Sequence, residues 1–116
     1  LFIVLTPEGF KMLDYATIYL KALAAAEQAA HDYRRDHGEG FMCGFAWVYF
    51  PNGRDKFVNW LKKNNLGSKH WKKGYLLWNP SKCGSQSIDL LEHCSRVFAQ
   101  VLKDNGINCY SQSRLD

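Results

Sequence analysis

The sequence predicts an α/β or α+β domain in which three helices pack on a small sheet of three or four strands. Two long stretches, residues 14–36 and 87–105, repeat apolar side chains at helical spacing. Short aromatic and β-branched runs, residues 44–50 and 74–78, alternate with helical segments, and glycine or proline punctuates the junctions. The resulting order is α-β-α-β-α-β, which favours one sheet covered by helices.

The 116 residues suit one domain with its own core; 47% are hydrophobic and 22% charged, a globular balance. No run approaches the ~18 apolar residues that a spanning helix needs, so no membrane partner is expected. The opening LFIVL is five residues long and stops at Thr6-Pro7-Glu8-Gly9, unlike a secretory signal. It reads as a fourth strand or a leader. Met12 stands just before the first helical pattern, so residues 1–11 are expected to lie upstream of the natural start, with residues 12–116 as the domain; a trimmed natural N-terminus is the other reading. Cys43, Cys83, Cys94 and Cys109 have no CxxC spacing. Reduced thiols in the cytoplasm are expected, acting as small buried hydrophobes, with Cys83 the exception.

In the first helix Asp14 caps a run rich in alanine, and Tyr15, Ile18, Tyr19, Ala22, Ala26 and Ala29 share a face. Arg34 and Arg35 favour its C-terminal dipole before Gly38 stops it. Residues 44–50 (GFAWVYF) form a strand with no polar residue on either face, expected to be central and covered on both sides. Residues 54–65 form a short helix through Phe57, Val58, Trp60 and Leu61, and residues 74–78 (GYLLW) a second strand. The third helix is capped by Ser87 or Asp89, buries Ile88, Leu91, Cys94, Phe98, Val101 and Leu102, and ends at Gly106. Residues 107–111 form a last strand.

Charge is uneven. Residues 53–82 carry eight Lys/Arg against one Asp, a net +7 within a chain of net +4. A Lys-rich stripe interleaved with rings can track phosphates and stack bases, so Arg54, Lys62, Lys63, Lys69, His70, Trp71, Lys72, Lys73 and Lys82 are the candidate anion or nucleic-acid contacts. The competing reading is a solvated face that keeps a small protein soluble. Trp71 matters only if it is exposed beside Lys72 and Lys73. A second candidate set depends on strand direction. Were the strands parallel, their C-terminal ends would gather Asn52, Asn79, Ser81, Ser113 and Arg114 at one sheet edge, where open α/β sheets bind ligands. The loop holding Ser85 and Ser87 leads into a helix and suits an anion, though helix capping explains the same serines and the nucleotide-binding GxxxxGK[ST] spacing is absent.

Catalysis has thin support. Cys83 beside Lys82 near a helix start could have a lowered pKa, but nothing orients His70 or His93 as its base. His93-Cys94 are adjacent on a helix and point apart, and the His pairs lack metal-ligand spacing. No cofactor motif is legible.

The words CGFAWV (43–48), LWNPS (77–81), FAQVL (98–102) and SRLD (113–116) together resemble a group of small proteins of tailed bacteriophages and marine viral sequence. The resemblance spans residues 20–116. It implies a host-cell cytoplasmic setting and brings no activity or catalytic residue. Three functions are therefore weighed in order: an anion or nucleic-acid binding accessory protein, a homodimeric protein-interaction factor, and a small enzyme.

Overall fold

The computed structural model describes residues 4–5, 11–12, 14–38, 40, 42–80 and 87–115. In chain order the elements are β1 (Val4–Leu5), β2 (Lys11–Met12), α1 (Tyr15–His37), β3 (Gly44–Phe50), α2 (Lys56–Lys63), β4 (Ser68–Lys69), β5 (Tyr75–Trp78), α3 (Ile88–Asp104) and β6 (Tyr110–Leu115). β1 and β2 pair with each other, apart from a four-stranded sheet of order β4-β5-β3-β6. Every neighbouring pair is antiparallel, which makes the fold α+β. No helix among the described residues is long and apolar enough to cross a membrane.

Local chemistry sets the element ends. The Asp14 carboxylate accepts the Thr17 N–H at 2.8 Å, and Gly38 closes α1 by donating its N–H to the Arg34 carbonyl. Asp55 caps α2 by accepting from Phe57 N, so that helix starts at Lys56 rather than Arg54. Ser87 holds the N-cap position of α3 but makes no cap bond; its hydroxyl accepts the Gly40 N–H at 3.1 Å instead.

β3 is the central strand, and its pleat divides the molecule. Ala46, Val48 and Phe50 point one way and are buried, Val48 and Phe50 in the main core. There they meet Tyr75 and Leu77 of β5, Phe57, Val58 and Leu61 of α2, the alanine face of α1, and Leu90, Cys94, Phe98 and Leu102 of α3. Ala22, Ala26, Ala29 and Ala30 are small enough to seat α1 closely against α3.

Three expectations are corrected here. β3 is central, yet on its second face Phe45 is exposed and Tyr49 only half-buried, and no described helix covers them. The last strand begins at Tyr110, not at residue 107. The Ile107 N–H is still bonded to the Leu102 carbonyl at the end of α3, and pairing starts where Tyr110 meets Tyr49. The fourth strand of the sheet is β4, a two-residue element with no apolar signal, and not the LFIVL segment.

Cys94 and Cys109 are buried as expected, whereas Cys43 is exposed; Cys83 lies outside the described residues. Burial pushes the Cys109 thiol up to about 12. An unfolded chain ionises this thiol near its ordinary value, so Cys109 favours the unfolded state increasingly as pH rises from about 9 toward 12. Denaturant unfolding across that interval should show stability falling in the native protein and falling less in Cys109→Ala, compared from each protein's own value at pH 7.

Gly44 must lack a side chain. A Cβ there would lie 2.6 Å from the Arg114 carbonyl oxygen and 2.7 Å from Ile88 Cδ1, where α3 begins against the sheet. Gly44→Ala is expected to cost about 1–3 kcal/mol of stability by overpacking, read from the urea midpoint.

Candidate functional site

The site grows from the turn between β4 and β5. The His70 N–H donates to the Gly74 carbonyl at 3.0 Å, and the Lys72 N–H donates to His70 Nδ1 at 3.1 Å. Gly74 has φ +92°, and a Cβ there would stand 2.4 Å from the Phe50 carbonyl oxygen. Only glycine lets the turn come this close to β3. The Tyr49 hydroxyl donates to the Lys73 carbonyl at 2.8 Å and ties the turn to the sheet.

On one side of this turn lies an open basic groove. Arg54, Lys62, Lys69, Lys72 and Lys73 line it with Asn52 and His70, and among the described residues no carboxylate lines it. Lys62 is held in place: its Nζ donates to the Gly53 carbonyl at 2.8 Å and sits 5.6 Å from the centre of the Tyr75 ring. Tyr75 in turn donates its hydroxyl to the Leu66 carbonyl at 2.6 Å, and burial pushes its phenol above the ordinary value, so it stays a neutral donor. Arg54, Lys69, Lys72 and Lys73 make no ion pair with a described residue, so their charge is unspent. Lys63 is exposed outside the groove, and Lys82 lies outside the described residues.

On the other side of the turn is the second face of the sheet. Alternation puts Phe45, Trp47 and Tyr49 of β3, Trp78 of β5, and Tyr110, Gln112 and Arg114 of β6 on it. The turn adds Trp71, whose ring stacks on His70 at 3.9 Å and meets Trp47 edge-on at 5.5 Å. Trp47 is the floor of this layer: it is 3% exposed, with Trp78 also packed on it at 4.9 Å. Around it the rings stay open, Trp71 at 58% exposure, Trp78 at 44%, Tyr110 at 42% and Phe45 at 39%. The Arg114 guanidinium lies 5.5 Å from the Phe45 ring centre. His70 and Lys72 line both this face and the basic groove, so the two surfaces are continuous.

The polar residues expected at one sheet edge are dispersed, because the strands are antiparallel. Asn79 and Arg114 stand beside the start of β3, opposite Ala46 and Phe45, while Asn52 follows the far end of β3 and joins the basic groove. Asn79 has φ +38° and donates its backbone N–H to the Ala46 carbonyl. Ser113 turns toward α3, its hydroxyl donating to the Glu92 carboxylate, and Ser87 accepts from Gly40 in the connection between α1 and β3. Ser81 and Ser85 lie outside the described residues.

The sequence reading missed Phe45, Tyr49, Trp78, Tyr110 and Gln112 as members of a surface. For Phe45 and Tyr49 the signal was present as aromatic residues at every second position of GFAWVYF, but period two does not say which face the helices take.

No family model matches the chain, and no curated protein or solved structure matches it.

The Tyr49–Lys73 bond holds the basic turn against the aromatic face. Tyr49→Phe removes about 1 kcal/mol of anchoring. The His70 amide should then exchange with deuterium roughly fivefold faster, while amides of α3 keep their protection.

Proposed function

We propose that this domain binds single-stranded nucleic acid, stacking bases on the aromatic face of the sheet and holding phosphates along the basic groove. The observation that carries the reading is the continuity of the two surfaces through His70 and Lys72. An unpaired strand offers two repeating features, the flat π-face of each base and the charge of each phosphate. Exposed Trp71, Trp78, Tyr110 and Phe45 suit the first, and five cations with no carboxylate among the described lining residues suit the second. In a duplex the base faces are hidden in the stack, so the aromatic layer would go unused.

The open rings also suit a second copy of the chain, and that is the competing reading. A two-fold interface through this face would pair each surface with itself. Arg114 and Lys72 line the face and, among the described residues, no carboxylate does, so self-pairing gathers like charge, whereas a polyanion complements it.

Fluorescence anisotropy with a labelled single strand and the matching duplex tests this. The single strand should bind more tightly. Its affinity should fall with salt at about 0.7 log units per log unit of salt for each neutralised phosphate, hence a slope near −3.5 if all five groove cations engage. Trp71→Ala should weaken single-strand binding about tenfold with the slope kept, since stacking is worth roughly 1–3 kcal/mol per base. Lys72→Ala should make the slope shallower by about 0.7. No binding to any single strand at low salt, together with a dimer in light scattering that Trp71→Ala dissociates, would establish the competing reading instead.

A further inference from the structure

We infer that Arg114 grips a second backbone phosphate at the far end of the aromatic face, so that a bound strand crosses this face lengthwise along β3, from Lys72 to Arg114; this rests on the single-strand reading above. The placement of the two cations carries the inference. Tyr49 stands near the C-terminal end of β3, and its hydroxyl bond to the Lys73 carbonyl fixes the basic turn there. Phe45 stands near the other end of the same strand, and Arg114 is its register partner on β6. The two ends are four residues apart along β3, roughly 13 Å at the rise of a strand. Aromatic rings fill that interval. Their centres step from Trp71 to Trp47 at 5.5 Å, from Trp47 to Trp78 at 4.9 Å and from Trp78 to Phe45 at 6.0 Å.

Arg114 is exposed, and its guanidinium lies 5.5 Å from the Phe45 ring centre. That contact engages the cation through its charge and holds a long side chain in place, yet it uses none of the five N–H donors. No described residue accepts a hydrogen bond from them, and no described carboxylate pairs with them. A held guanidinium with unspent donors matches a phosphate, which accepts two parallel N–H bonds. Lys72 and Arg114 line one open surface, with rings between them and no carboxylate among the described lining residues. A single strand covers roughly 13 Å with about four nucleotides at the 3.4 Å stacked spacing, and with fewer once its bases part to lie on separate rings. Its phosphates therefore reach both cations while the bases between them rest on the rings. A path running across β5, β3 and β6 in turn would meet only one of the two cations.

Salt titration of oligo(dT) binding tests this, with a strand of about twelve residues that is long enough to reach both ends. Arg114→Ala should make the log–log slope shallower by about 0.7, so that a fourfold rise in salt costs about 2.5-fold less affinity than in the native protein. Arg114→Gln removes the charge at similar side-chain length and should match it. Arg114→Lys keeps the charge and should keep the slope. The double variant Lys72→Ala/Arg114→Ala then locates the phosphates. Separate phosphates at the two ends make the losses add, to about 1.4 in slope, whereas one shared phosphate leaves the double variant no shallower than Lys72→Ala. If native protein binds the strand, three results overturn the inference and leave the stacking function standing: an unchanged slope in Arg114→Ala, a slope as shallow in Arg114→Lys as in Arg114→Ala, or a double variant no shallower than Lys72→Ala. If native protein binds no single strand at low salt, the single-strand reading falls and this inference falls with it.

Discussion

The pleat of β3 governs this molecule. Seven residues, Gly44–Phe50, lie at the centre of the sheet and are paired on both edges, to β5 and β6. Their alternation sends Val48 and Phe50 into the core under the helices and Phe45, Trp47 and Tyr49 to the opposite surface. A register slip of one residue would exchange the two sets and turn Phe45, Trp47 and Tyr49 toward the side where α3 packs. Gly44 adds a steric pin, because α3 begins almost in contact with its backbone. The helical core, the direction of β6 and the aromatic layer all follow from that one strand.

The uncovered face carries a cost that the structure only partly offsets. Trp47 buries itself beneath its neighbours and satisfies its indole through Gln112, but Phe45, Trp71, Trp78 and Tyr110 leave much of their rings in water. A monomeric protein with a patch of this kind is prone to self-association. Arg114 over Phe45 and Lys72 of the β4–β5 turn place positive charge beside the rings. On the proposed single-strand reading, that charge is what a polyanion would complement.

Much of the basic groove was legible beforehand, because Arg54, Lys62, Lys69, His70, Lys72 and Lys73 fall within one short stretch of chain. Neighbours in sequence joined by a short helix and a tight turn stay neighbours in space. The dispersed polar set fared differently. Asn52, Asn79 and Arg114 come from three separated segments, and their proximity hinged on strand direction, which hydrophobic periodicity does not encode. Ser87 and Ser113 look free in a sequence, yet their hydroxyls are spent on Gly40 and Glu92 across the sheet–helix boundary.

By itself the sequence determined the three helices, the two main strands and the charge concentrated in residues 53–82, because propensity, capping and local pattern act within a few residues of each position. Tertiary structure alone decided the antiparallel sheet, the late start of β6 and the single-sided placement of the helices. It also decided that aromatic residues from four separate segments form one surface. The physical reason is that an apolar run on a strand reports only that both faces avoid water. Whether a face is shielded by a helix or by its own rings depends on where distant segments pack, and no local pattern carries that information.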